Sequence, residues 1–275
     1  MGRHIPPHRD LDVGLTGLWI RARSFCFLAA SPMIHRPEHI DIVETGDGSK
    51  TLHDRNRDLH YRSTHGARQE SDHVFVRGTR LHGRKPPWTV LELGFGAAVN
   101  FAGTVAALPD GAALNYHAVE HAPVHAENVD FHPGLAGDVA REALKQAERS
   151  GQTVHCSVDE GRIKLSLHLV DWSTFRQPEL RADAVYFDPF GPRSDPNSWT
   201  VECFEVARDH MSPEAVLGTY SAASDVKRAM FRAGFNVASA PGPGRKREVT
   251  FASLSQAALA PYDLLSRERY IGSNE

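Results

Sequence analysis

Four carboxylates in this chain close short apolar runs: Glu92 ends "WTVLE", Glu120 ends "LNYHAVE", Asp171 ends "RIKLSLHLVD" and Asp188 ends "ADAVYFD". Just past the first, Gly94 and Gly96 are separated by one residue. Glycines let a chain turn tightly and bring backbone close to a ligand, and carboxylates accept hydrogen bonds from hydroxyls and amines. Such a set suits a nucleoside held where strands end.

The details narrow the ligand. The third glycine of a dinucleotide fingerprint is replaced by Val99, which disfavours NAD, and no G-x-x-x-x-G-K-[ST] run exists. An E-x-G-x-G turn with an acid closing the next strand fits a nucleoside that lacks a pyrophosphate, with Glu120 accepting from both ribose hydroxyls. S-adenosylmethionine is such a ligand. Close strand-to-helix packing also asks for glycines, so the spacing to Glu120 and then Asp171 carries the inference. For Asp188, followed by Pro189, the other reading is a turn cap.

Other reactive residue types point elsewhere. His117, His121 and His125 recur every fourth residue, but the first lies in a strand and no H-E-x-x-H is present, so no metal site is expected. Cys26, Cys156 and Cys203 are far apart, which argues against a zinc site and a disulfide framework. Cys203 reads as a small buried hydrophobe. Trp199 reads as core or, being near Asp188, as a stacking surface for substrate.

These residues need a scaffold. From Trp88 onward, β-rich runs alternate with helical segments, the signature of an α/β fold with a mostly parallel sheet. Strands are expected at 89–93, 114–120, 162–171, 182–188 and 215–221, and helices at about 97–108, 137–149, 199–209 and 223–233. "FNVAS" and "REVTFAS" form an antiparallel closing pair around "PGPGRK". Alternation of Ile163, Leu165, Leu167 and Leu169 with polar residues predicts a half-buried strand.

With 275 residues, 41% of them hydrophobic and 24% charged, the chain can bury a full core. Residues 1–32 carry no core pattern and read as disordered or as sequence ahead of a start at Met33. Residues 33–87 read as an N-terminal segment packing on the core, and 88–275 as the main domain. "SFCFLAA" is too short to span a membrane, so the expected location is the cytoplasm. A net charge of -3 gives no global attraction to nucleic acid. Contact with RNA would come from "RGTRLHGRK" or from "GRKR", whose Arg245, Lys246 and Arg247 otherwise make a solvated turn.

The segments "ELGFGAAVNF", "VYFDPFGPRSDPNSWT" and "GPGRKREVTFAS", with "DGSKTLHDRNRDLHYRSTHGARQESDHVF" upstream, resemble the MnmC-like methyltransferase family. The upstream family pattern is DGS-x-TL followed by YHS-x-x-GA-x-x-E-S-x-HVF, and the likeness runs from about Ile42 to Ser253. It implies a class I, Rossmann-like S-adenosylmethionine-dependent methyltransferase fold with an antiparallel closing strand. By that resemblance Glu92, Gly94, Gly96 and Asn100 line the methionine side of the cofactor, Glu120 holds the ribose and Asp171 faces the adenine amine. Tyr61 and Glu70 belong to the upstream segment and would also serve the cofactor. Asp188, in a D-x-F-x-P motif with Phe190 and Pro192, would sit at the reacting amine, with Arg193, Trp199 and the "GRKR" loop toward the substrate. The family's acceptor is the aminomethyl group on the wobble uridine of tRNA. This chain has no FAD-dependent oxidase half, so a separate enzyme would supply the amine. The competing readings are a methyltransferase of the same fold acting on a small-molecule amine, and a non-catalytic nucleoside-binding protein.

Overall fold

A computed structural model describes residues 20–21, 39–129, 132–244 and 248–272. In chain order its elements are β1 (Ile20–Arg21), β2 (Ile40–Glu44), β3 (Lys50–Asp54), β4 (Leu59–His60), α1 (Ala67–Ser71), β5 (Trp88–Leu93), α2 (Val99–Ala107), β6 (Leu114–Val119) and α3 (Gly134–Ser150). They continue as β7 (Val154–Val158), β8 (Ile163–His168), β9 (Ala182–Phe187), α4 (Val201–Asp209), β10 (Met211–Thr219), α5 (Ser224–Arg232), β11 (Asn236–Pro241), β12 (Glu248–Ser253), β13 (Asp263–Leu264) and α6 (Arg267–Ile271). Of residues 1–32, only the pair in β1 is described. Cys26 and the loop residues Arg245, Lys246 and Arg247 lie outside the described residues.

One ten-stranded sheet runs β1-β7-β8-β6-β5-β9-β10-β12-β11-β13. Its centre, β8 through β10, is parallel, and β12 and β11 close it antiparallel, as the sequence pattern predicts. The central strands are buried on both faces because helices cover them; Val90, Leu91, Ala184 and Val185 are fully enclosed. α3 buries Val139, Ala140, Ala143, Leu144 and Ala147, one helical stripe, against β7 and β8. Glu92, Glu120, Asp171 and Asp188 therefore all arrive at the carboxyl edge of the parallel strands, where open α/β sheets bind ligands.

Residues 39–87 form a second small sheet, β2-β3-β4, followed by α1 and a π-helical turn over Asp72–Arg77. Ile40, Leu52, Val74 and Phe75 share one buried cluster with Val90, Phe101 and Tyr116, so this segment is part of the same core. Gly218 in β10 makes the approach possible. A Cβ there would come within 2.7 Å of the Val74 carbonyl oxygen.

The half-buried reading of β8 is corrected. Its alternate residues Ser166 and His168 are only 3% and 4% exposed, because His117, His155 and Phe175 pack against them, His155 coming from β7, a strand the pattern did not reveal. His117 Nδ1 and His168 Nε2 lie 3.1 Å apart, and His155 Nδ1 lies 2.9 Å from Ser166 Oγ. Among the described residues no group of three or more His, Cys, Asp or Glu is arranged to hold a metal.

Burial, reinforced by neighbouring histidines, lowers His117 to about 4 and His168 to about 3. Above the ordinary histidine value both are neutral in folded and unfolded chains and contribute no pH dependence. Below it the unfolded chain takes up protons that the folded chain refuses, so stability falls with falling pH by up to about 1.4 kcal/mol per pH unit per histidine. The melting temperature is expected to drop between about pH 6.5 and 4.5, and His168→Gln to flatten that limb. An acid limb of unchanged slope in the variant contradicts this account.

Candidate active site

A cavity of about 610 Å³ opens at the carboxyl edge of the parallel strands, a size suited to a nucleoside. Gly94, Gly96, Glu120, Asp171, Asp188 and Phe190 are among its lining. Gly94 has φ +83, and a Cβ there would lie 2.8 Å from the Asp188 carbonyl oxygen, so the loops after β5 and β9 can meet only over glycine.

Glu120 follows β6 and braces the glycine turn. Its Oε2 accepts from the Gly96 N–H at 3.3 Å and its Oε1 from the Ala122 N–H at 2.9 Å. An ionised carboxylate offers about four lone-pair directions, so capacity remains for a pair of vicinal hydroxyls. Asp171 lies past the end of β8, where it caps a short 3-10 turn: Oδ1 accepts from the Ser173 N–H at 2.9 Å and from the Ser173 hydroxyl. Those bonds, the hydroxyl's first, hold its carboxyl below the usual range.

Asp188 immediately follows β9, and its side chain is 5% exposed. Its Oδ2 forms an ion pair with Arg62 Nη2 and accepts from Asn100 Nδ2 at 2.8 Å. Asn100, in the first turn of α2, also donates to Glu92 Oε1 at 2.7 Å and accepts at Oδ1 from the Ser71 hydroxyl at 2.6 Å. Glu92 Oε2 accepts from the Tyr116 hydroxyl at 2.8 Å. Burial, and then the charge of Asp188, push Glu92 up to about 8 against the pull of Arg62, Tyr116 and Asn100. Burial and the neighbouring acid thus favour the neutral form of Glu92, while Arg62 pairs directly with Asp188.

Arg62 is the site residue that the sequence reading missed. It stands where the resembled pattern has the histidine of YHS, its side chain is 7% exposed, and its guanidinium lies 5.5 Å over the Phe75 ring. That single departure inside an otherwise matching segment was the available signal. Tyr61 and Glu70 also line the cavity; Tyr61 meets Phe190 edge-on at 5.0 Å, and Glu70 is buried and accepts from the Ser63 N–H at 3.4 Å.

Several placements differ from expectation. Glu92 and Asn100 do not line the cavity; both are fully buried beneath it and act through Asp188, because Asn100 points inward from α2 to bridge the two acids. Trp199 is core: the 3-10 turn at Pro196–Trp199 turns the indole inward against Phe187, Phe204 and Tyr220, where its Nε1 donates to the Phe190 carbonyl at 2.8 Å. It props the loop that carries Phe190. Pro192 and Arg193 do not line the cavity; they lie in a turn closed by the Ser194 N–H on the Gly191 carbonyl. Cys203, by contrast, is the small buried residue the sequence reading expects, its thiol pushed up by burial, unlike a nucleophile.

Comparison with known proteins agrees with this geometry. Residues 136–255 match a family described as S-adenosyl-L-methionine-dependent methyltransferase. The chain is 37% identical over 205 residues to the tRNA 5-methylaminomethyl-2-thiouridine biosynthesis bifunctional protein MnmC of Ralstonia nicotianae, covering 70% of this chain and 31% of that one. The protein of the same name from Hahella chejuensis is 35% identical over 209 residues, covering 69% and 33%. The chain thus spans about a third of the length of these relatives. The crystal structure of MnmC2 from Aquifex aeolicus superposes with a TM-score of 0.65 at 25% identity, covering 78% of this chain and 70% of that one. The glycine turn, the acids that close β6 and β8, and the nucleoside-sized cavity all fit S-adenosylmethionine. Residues 136–255 are thus those of an S-adenosyl-L-methionine-dependent methyltransferase family, and the chain is similar to MnmC over about 70% of its length.

Proposed function

We propose that the chain methylates the amine of an aminomethyl-uridine at the wobble position of tRNA, in the cytoplasm, after a separate enzyme has made that amine. The observation that carries the reading is Asp188, fixed by Arg62 and Asn100 on the wall of a cavity whose other acids suit a nucleoside. S-adenosylmethionine supplies, when bound, a methyl group on a positively charged sulfur. Glu120 would hold its ribose hydroxyls, Asp171 its adenine amine, and the backbone at Gly94 and Gly96 its methionine end.

Asp188 has two tasks in this reading. It orients the lone pair of the neutral amine, and its negative charge stabilises the positive charge that develops on nitrogen. A carboxylate is too weak a base to deprotonate an alkylammonium efficiently, so the amine must arrive neutral. Arg62 supplies the buried carboxylate with its counterion. The proton later lost from nitrogen passes to water.

The net charge of -3 favours a second reading, methylation of a small-molecule amine. Salt separates the two, because phosphate contacts release counterions. Binding of tRNA is expected to weaken steeply from low to physiological salt; failure to bind tRNA at either salt concentration supports the small-molecule reading.

Cofactor binding has its own test. Glu120→Ala is expected to weaken S-adenosylmethionine by about 1.5 to 3 kcal/mol in calorimetry, the usual worth of hydrogen bonds to a charged group. An unchanged dissociation constant removes Glu120 from the ribose site.

A further inference from the structure

Beside Phe190 the cavity is lined by a cation, Arg57, that no step above uses. Arg57 sits in the turn between β3 and β4, where Asp54 Oδ1 accepts from the Asn56 N–H at 2.9 Å and the Arg57 N–H at 3.3 Å. Its guanidinium carbon lies 5.2 Å from the centroid of the Phe190 ring, and both residues line the cavity. The two partners are held very differently. Phe190 is half-buried, with Tyr61 against its edge and its carbonyl fixed by Trp199, whereas Arg57 is exposed on a short surface turn.

An aromatic ring on one side and a planar guanidinium on the other is an arrangement that grips an unstacked base, since every base has two π faces. Phe190 lies two residues past Asp188, so a ring stacked on it is near the carboxylate that would meet the amine. We propose that Arg57 and Phe190 clamp the uracil ring of the acceptor nucleotide, Arg57 lifting off Phe190 to let the base enter. This rests on the tRNA reading above. A lysine in place of Arg57 would keep the charge but lose the planar face.

The test compares two anticodon stem-loops, one with uridine at the wobble position and one abasic there, by fluorescence anisotropy. Base-aromatic stacking corresponds to a preference of about 5- to 150-fold for the wild-type protein. Arg57→Ala and Arg57→Lys are both expected to lose most of that preference, Arg57→Lys while keeping the salt slope, with S-adenosylmethionine affinity in calorimetry and the melting temperature near wild type. A preference retained in Arg57→Ala, or lost in Arg57→Ala and restored in Arg57→Lys, overturns the clamp while leaving the tRNA reading intact. A wild type that binds and methylates tRNA yet does not distinguish the two stem-loops overturns the clamp alone. A wild type that binds neither stem-loop nor tRNA overturns both.

Discussion

Asp188→Asn is expected to lower the single-turnover methylation rate at saturating cofactor by about 10²-fold or more, corresponding to about 2.7 kcal/mol or more of transition-state stabilisation. The substitution keeps the shape of the side chain and removes the charge that meets the nitrogen. Its effect on the fold is limited by the cluster beneath. Burial and the charge of Asp188 favour the neutral form of Glu92, so losing that charge lets Glu92 ionise more readily and become the counterion of Arg62. Cofactor affinity is expected to change far less than the rate, since Glu120 and Asp171 are untouched. A fall in rate with binding kept marks an interaction made mainly in the transition state. A rate within a few-fold of wild type would reduce Asp188 to a loop cap.

Arg62→Ala carries the largest expected cost to stability. It leaves the Asp188 carboxylate, 5% exposed, without its cation, and removing one partner of a buried ion pair costs about 3 to 5 kcal/mol. The loss has a sign in pH. Without Arg62, Asp188 and Glu92 are two buried acids joined through Asn100, and each ionises less readily in the folded chain than in the unfolded one. Acids with raised folded values stabilise at low pH and lose that contribution as pH rises, so urea denaturation should show a larger deficit for Arg62→Ala at about pH 8 than at about pH 5. Adding Asp188→Asn should recover part of the deficit at about pH 8. A deficit below about 1 kcal/mol, or one independent of pH, contradicts the cluster described here.

Much of this site was legible before the structure because strand ends are readable. An apolar run that stops at an acid places that acid at a sheet edge, and Glu120, Asp171 and Asp188 arrive there from three separate runs. Residues whose partners are distant in sequence were not readable in the same way. Arg62 looks like any surface cation until β9 brings Asp188 to it, and Arg57 gains meaning only when the β3–β4 turn is folded over Phe190. β7 buries only Val154 and Cys156 firmly, too weak a pattern to stand out as a strand. Trp199 was open between core and substrate surface in the sequence, and the 3-10 turn at Pro196–Trp199 sends the indole into the core.

The most direct test is of the acceptor itself. The protein is incubated with S-adenosylmethionine carrying a labelled methyl group and with tRNA from a strain that makes the aminomethyl-uridine but does not methylate it, and the tRNA is digested and analysed by mass spectrometry. The predicted result is one labelled methyl on the aminomethyl-uridine nucleoside and on no other, appearing about 10²-fold more slowly with Asp188→Asn. Label absent from every nucleoside, while a free amine offered in parallel becomes methylated, would contradict it.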